Sequence, residues 1–205
     1  VIKYLPETAT VVLEEIPDKV TLAVEITNCR GHCEDCHSPH LRDDLGEELT
    51  PAKIDALFGD NFGVNCFLFL GEGKDVDALL KLVKHINKKY PSIEVALYSG
   101  LHHTDERVWD YFDYVKIGPY RAEYGPLNKP TTNQRMYRLE RGKGKGSAID
   151  ITERFWHGGI EAQQDGREAH QDGREAQQDG REAQQDGREA QQEGREAHQD
   201  SAGPE

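Results

Sequence analysis

Three cysteines, Cys29, Cys33 and Cys36, fall within eight positions of the stretch TNCRGHCEDCHSPH, directly after an alternating apolar run. In a reducing compartment, thiols crowded in this way point to metal or redox chemistry rather than to structural disulfides. Spacers of three and two residues each reach roughly 10 to 14 Å when extended, so convergent sulfurs require the loop to fold back, a bend that Gly31 eases. A tetrahedral zinc site would need a fourth ligand, for which His32, His37, His40 and the distant Cys66 are available. An iron–sulfur cluster held by three cysteines needs none: it leaves one iron without a protein ligand, open to a substrate. Cys66, inside VNCFLFLG, reads as a small buried hydrophobe rather than a ligand.

The elements around this loop are legible from period and punctuation. Alternating β-branched and apolar residues predict strands over Thr10–Glu14 and Val20–Ile26, with IPDK as the turn between them. The second strand runs straight into the cysteines. Thr50 and Pro51 mark the start of a short helix, PAKIDALFGD, and a buried strand follows over Asn65–Leu70. After the glycine turn GEGKD, Asp75 caps an amphipathic helix whose apolar stripe is Val76, Leu79, Leu80, Leu82, Val83 and Ile86, with Pro91 just beyond its end. A strand over Glu94–Ser99, a short helix around Asp105–Phe112 and a strand over Tyr114–Ile117 come next. Met136–Glu140 and Ile149–Phe155 read as short strands or a terminal hook.

Strand and helix alternate in units too long for hairpins, which predicts an α/β fold with parallel βαβ connections. Ligands of such folds bind at the carboxyl ends of the strands. The cysteine loop, GEG at Gly71–Gly73 and YSG at Tyr98–Gly100 all stand at such ends. GEGK is not a phosphate loop, because the G-x-x-x-x-G-K-[ST] spacing is missing. His102 and His103 read as surface loop residues.

Composition breaks near residue 158, so two segments are expected: a folding domain over 1–157 and a low-complexity tail over 158–205. The tail repeats a seven-residue unit, EAQQDGR and close variants, six times. Alanine is the sole apolar residue of each unit, too little for a coiled-coil seam. Like charges four apart (Glu168 and Asp172) and a glycine in each of the first five units also work against a helix. A disordered extension is expected. The tail holds 13 acidic and 5 basic side chains, so the chain's net charge of −13 divides into −8 for the tail and −5 for the domain. A mildly acidic domain offers no basic footprint for nucleic acid. No apolar stretch is long enough to span a bilayer and the first residues are not signal-like, so the expected location is cytoplasmic, with no membrane partner.

The spacing C-x3-C-x2-C in CRGHCEDCH resembles the cluster motif of radical S-adenosylmethionine enzymes, and CHSPH resembles its continuation in glycyl-radical-enzyme activating proteins. GEG occupies the place of that family's Gly-Gly-Glu segment. KIGPY with TTNQRMYRLERG resembles the end of anaerobic ribonucleoside-triphosphate reductase activating proteins, and this pairing is the most discriminating. The likeness covers residues 1–157. Two positions depart from it: Asp35 precedes the third cysteine, where an aromatic or glycine is usual, and Leu70 stands where the first glycine of Gly-Gly-Glu would be.

The resemblance implies a partial, open (β/α) barrel of the radical S-adenosylmethionine type with a parallel sheet. It implies that Cys29, Cys33 and Cys36 bind three irons of a 4Fe-4S cluster, and that S-adenosyl-L-methionine chelates the fourth iron and is cleaved reductively to methionine and a 5'-deoxyadenosyl radical. No further catalytic residue is assigned. Gly71, Glu72 and Gly73 would bind the cofactor, with Glu72 accepting the methionine ammonium; Ser99 and Gly100 would line its ribose or carboxylate side. Asn133, Gln134 and Arg135 would shape the mouth through which a partner enters. The expected partners are an anaerobic ribonucleoside-triphosphate reductase, on which a glycyl radical is installed, and a low-potential electron donor such as a flavodoxin or ferredoxin. The competing readings are a radical enzyme acting on another glycyl partner or a small molecule, and a zinc-stabilised binding module.

Overall fold

The computed structural model describes residues 1–157, which match to within one position a unit spanning Val1–Gly158. The expectation of a disordered tail over 158–205 lies outside the described residues. In chain order the elements are β1 (Lys3–Tyr4), β2 (Thr10–Val12), β3 (Thr21–Glu25), β4 (Glu47–Glu48), α1 (Pro51–Asp60), β5 (Cys66–Leu70), α2 (Val76–Lys89), β6 (Glu94–Tyr98), α3 (Val108–Tyr111), β7 (Tyr114–Ile117), β8 (Arg135–Arg138), β9 (Ile149–Asp150) and α4 (Arg154–His157). The fold is α/β. Seven strands form one sheet in the order β2-β3-β5-β6-β7-β8-β9, while β1 and β4 pair as a separate antiparallel ribbon.

The sheet is mixed, parallel at its centre as expected and antiparallel at its edges. Its centre, β3, β5, β6 and β7, is parallel; β2 joins one edge antiparallel, and β8 and β9 join the other antiparallel. The parallel strands are those joined by helical crossovers, whereas β2 turns directly into β3, and such a direct return pairs antiparallel. With β2 and β9 as its ends, this sheet does not close on itself.

Burial on both faces makes the central strands continuous apolar runs. Leu22, Val24, Phe67, Phe69, Val95, Leu97 and Val115 point to one face, where they pack with Ile54 of α1, the Leu79, Leu80, Leu82, Val83 and Ile86 stripe of α2, and Val108 and Trp109 of α3. All three crossover helices therefore cover the same face. The alternate residues, Ala23, Cys66, Leu68, Ala96, Tyr114 and Met136, form a second, smaller cluster with Ile16 and Leu127, bordered by Tyr98, Ile151 and Phe155. Loops and the single-turn α4, rather than the crossover helices, cover that side.

Both expected helix starts are present: Thr50 accepts from the Lys53 amide at 3.3 Å and Asp75 from the Ala78 amide at 3.0 Å. Aspartate 55 ties the two helices together, receiving His85 and Tyr90 on one oxygen and Lys89 on the other, each at 2.8 Å. The terminal hook differs from expectation. Within Ile149–Phe155 only Ile149–Asp150 is strand, and the chain then turns into α4 as the Thr152 hydroxyl accepts the Met136 amide at 3.0 Å. The β1–β4 ribbon was not anticipated, since two-residue strands carry no periodicity to read.

Candidate functional site

Parallel pairing puts the ends of β3, β5, β6 and β7 side by side: Glu25, Leu70, Tyr98 and Lys116 stand opposite one another in register. The four segments that follow therefore emerge together, namely Thr27–Cys29, Gly71–Gly73, Ser99–Gly100 and Gly118–Tyr120. Three are the segments singled out in the sequence. Backbone proximity here depends on glycine. Gly71 adopts φ +114°, and a Cβ on it would stand 3.2 Å from the Ile26 carbonyl oxygen; Gly73, at φ +61°, would meet Ile2 and Ile26.

The chain returns on itself across the cysteine loop. The Cys29 amide donates to the Leu41 carbonyl at 2.8 Å, and Arg42 donates to the Cys33 carbonyl at 2.6 Å. Gly31 is buried at the bend: its amide donates to Cys29 Sγ at 3.3 Å, and a Cβ at this position would lie 3.4 Å from Cys29 Sγ and 3.9 Å from Cys33 Sγ. Cys33 Sγ also lies 3.8 Å from where a Cβ of Gly100 would be, so the loop reaches the end of β6. All three cysteines are unbridged and half-buried. Among the described residues, no three His, Cys, Asp or Glu side chains are grouped as ligands of a single ion. His32, His37 and His40 are exposed, and His37 instead packs its ring on Tyr120, 4.7 Å between centroids.

Cys66 is fully buried in β5, and burial pushes its thiol up to about 12, consistent with a packing role. Glu72 is 5 % exposed, an unusual depth for a carboxylate, and both of its oxygens are engaged: Oε1 by Arg30 at 3.0 Å and Oε2 by the Thr104 hydroxyl at 2.7 Å. Ser99 is buried, and its hydroxyl accepts the Leu101 amide at 3.1 Å. Asn133 and Gln134 donate to the carbonyls of Pro119 and Gly118, at 2.9 and 3.3 Å, and so hold the segment leaving β7. Arg135 is exposed and donates to the carbonyls of Thr132 and Gln134. His102 and His103 are exposed.

Lys116 was not anticipated. On the face of the sheet away from the helices, its ammonium stands 5.0 Å from the Tyr98 ring centroid. Burial pushes it down to about 8, against the opposing pull of Glu15 and Cys33. The signal was present in the alternation of YVKI: Val115 belongs to the helix-packed face, so Lys116 must point to the other. Arg30, Thr104 and Tyr120 were likewise missed, because side-chain reach across loops has no periodic signature.

The arrangement brings Cys33, the buried Glu72 carboxylate and the Lys116 ammonium to the same end of the parallel strands, with Cys29 beside Cys33 across Gly31. Three thiols in one loop, with glycines at Gly31 and Gly100 leaving room beside Cys29 Sγ and Cys33 Sγ, are the kind of donors that an iron–sulfur cluster would require. The chain matches no protein-family model, no curated protein and no solved structure with which it was compared. Among the described residues, no helix is long and apolar enough to cross a membrane.

Proposed function

We propose that the chain is a radical S-adenosylmethionine enzyme that installs a glycyl radical on an anaerobic ribonucleoside-triphosphate reductase. The observation that carries this reading is the turn at Gly31, which brings the Cys29 and Cys33 sulfurs around one glycine and sets Cys33 against Gly100, beside the strand end that bears Glu72. On this reading Cys29, Cys33 and Cys36 hold a 4Fe-4S cluster that, when bound, supplies the electron for breaking a carbon–sulfur bond of S-adenosyl-L-methionine. A low-potential flavodoxin or ferredoxin reduces it.

The chain's own residues orient the cofactor and exclude water. Glu72 accepts a methionine ammonium, since a buried carboxylate makes a strong charge-assisted hydrogen bond. The desolvated Lys116 offers an opposite charge to an anionic group on the loop-covered side, and Gly71, Gly73 and Gly100 let backbone approach the ligand. The Gly31 amide, hydrogen-bonded to Cys29 Sγ, orients that sulfur. Asn133 and Gln134 act by holding the Gly118–Pro119 segment.

Helices on one face and two free edges support a partial, open (β/α) barrel. An open strand end suits a large substrate such as a glycine-bearing loop of another protein, which closes the site as it docks.

The test is anaerobic reconstitution followed by absorption and electron paramagnetic resonance. The reduced protein is expected to cleave S-adenosylmethionine and to give the reductase a glycyl radical doublet, lost when the reductase's C-terminal glycine is replaced by alanine. Cleavage with a small-molecule product and no protein radical would assign the other radical chemistry. A zinc-only protein would end the reading.

A further inference from the structure

Three loops meet at the Glu72 carboxylate. Glu72 itself follows β5, Thr104 belongs to the loop after β6, and Arg30 sits in the cysteine loop between Cys29 and Gly31. The two members of the ion pair are unequally placed: the Arg30 side chain is 46 % exposed and that of Glu72 is 4 % exposed. The guanidinium thus reaches in from solvent to a carboxylate that cannot reach out. Such a carboxylate must keep a cation, because leaving one buried charge uncompensated costs far more than the pair is worth. Arginine can leave at small cost, since its half-exposed head regains water.

We infer that Arg30 is an exchangeable counter-ion of Glu72. Without ligand, its guanidinium holds the buried carboxylate and fastens the Cys29–Cys33 turn to the end of β5. A ligand that carries an ammonium takes the guanidinium's place and releases that fastening. The exchange rests on the reading above, in which the methionine ammonium of S-adenosylmethionine is received at Glu72; the fastening does not. Other ties of the loop lie elsewhere: Lys74 donates to Asn28 Oδ1 at 2.6 Å ahead of Cys29, and Arg42 holds the Cys33 carbonyl from within the same loop. Arg30 is therefore the side chain that joins the turn itself to the β5 end, as a positioning residue.

Two measurements on the full chain separate these parts. In the first, cluster-free reduced protein is alkylated with iodoacetamide and each cysteine is followed by peptide mass spectrometry, with Cys66 as the internal control for folding. Arg30→Gln and Glu72→Gln are each expected to speed reaction of Cys29 and Cys33 about ten-fold, the factor corresponding to one charge-assisted hydrogen bond. The double variant should be no faster than either single one, since both remove the same contact. Arg30→Lys should restore part of the protection. Unchanged rates, or effects that multiply in the double variant while Cys66 stays protected, would overturn the fastening.

In the second, S-adenosylmethionine binding to anaerobically reconstituted protein is measured by equilibrium dialysis. Arg30→Gln is expected to bind several-fold tighter than the parent, about ten-fold at most, because the resident competitor is gone. Glu72→Gln should bind more weakly. Weaker binding by Arg30→Gln overturns the exchange. Binding by neither parent nor variants, with the alkylation rates still responding, removes the cofactor reading and the exchange together and leaves the fastening in place.

Discussion

At the scale of single residues, the four cysteines divide by environment into two kinds. Cys29, Cys33 and Cys36 are half-buried in a loop, whereas Cys66 is sealed in β5 with its thiol pushed up by burial to about 12. Replacing any one of the first three by alanine is expected to abolish the iron–sulfur absorption of reconstituted protein, and Cys66→Ala to retain it; a normal spectrum from Cys29→Ala, Cys33→Ala or Cys36→Ala would refute the ligand assignment. The thiol of Cys66 also carries a pH dependence. Unfolded, it ionises near about 8.5; folded, it stays protonated until about 12. Its contribution to stability is thus complete below about pH 8.5 and is lost as pH rises toward 12. Urea midpoints of the parent chain should fall across that window more steeply than those of Cys66→Ala. A thiol titration at neutral pH should count three reactive groups in the folded protein and the fourth on denaturation.

At the scale of elements, α2 starts where its capping residue allows. Asp75→Ala removes the acceptor of the Ala78 amide and is expected to cost about 1 kcal/mol in urea denaturation, with Asp75→Asn costing clearly less because asparagine caps as well as aspartate. The contact of α1 with α2 is sensitive to acid. Lys89 above all, with His85 and Tyr90, holds the Asp55 carboxyl down at about 2. A depressed carboxyl stabilises the fold fully above its unfolded value near about 3.9, and that contribution is lost as pH falls toward 2. The stability difference between parent and Asp55→Asn should therefore be constant above about pH 5 and shrink on acidification. A difference independent of pH would mean that Asp55 acts through packing alone.

At the scale of the whole molecule, the two apolar clusters among the described residues are built within the Val1–Gly158 unit. The repeat after residue 158 offers isolated alanines and no larger apolar side chain beyond Ile160. Truncation after His157 is accordingly expected to keep the thermal unfolding transition, the cluster and S-adenosylmethionine cleavage. Loss of soluble folded protein on truncation would show that the domain depends on the repeat.

The sequence by itself determined what is local. Period and capping residues marked α2, with its start at Asp75 and its apolar stripe, and the strand Tyr114–Ile117. The reading of Cys66 as buried followed from its place in an unbroken apolar run. Tertiary structure decided what depends on distance in space. The antiparallel edges β2, β8 and β9 come from chain returns rather than residue type. The pairing of Glu72 with Arg30, 42 residues apart, and the approach of Cys33 to Gly100 arise only because β3, β5 and β6 lie in parallel register. Lys116 shares both causes. Its face was implied by alternation within one strand, but its loss of water and its place beside Tyr98 and Cys33 exist only once loops cover that side of the sheet.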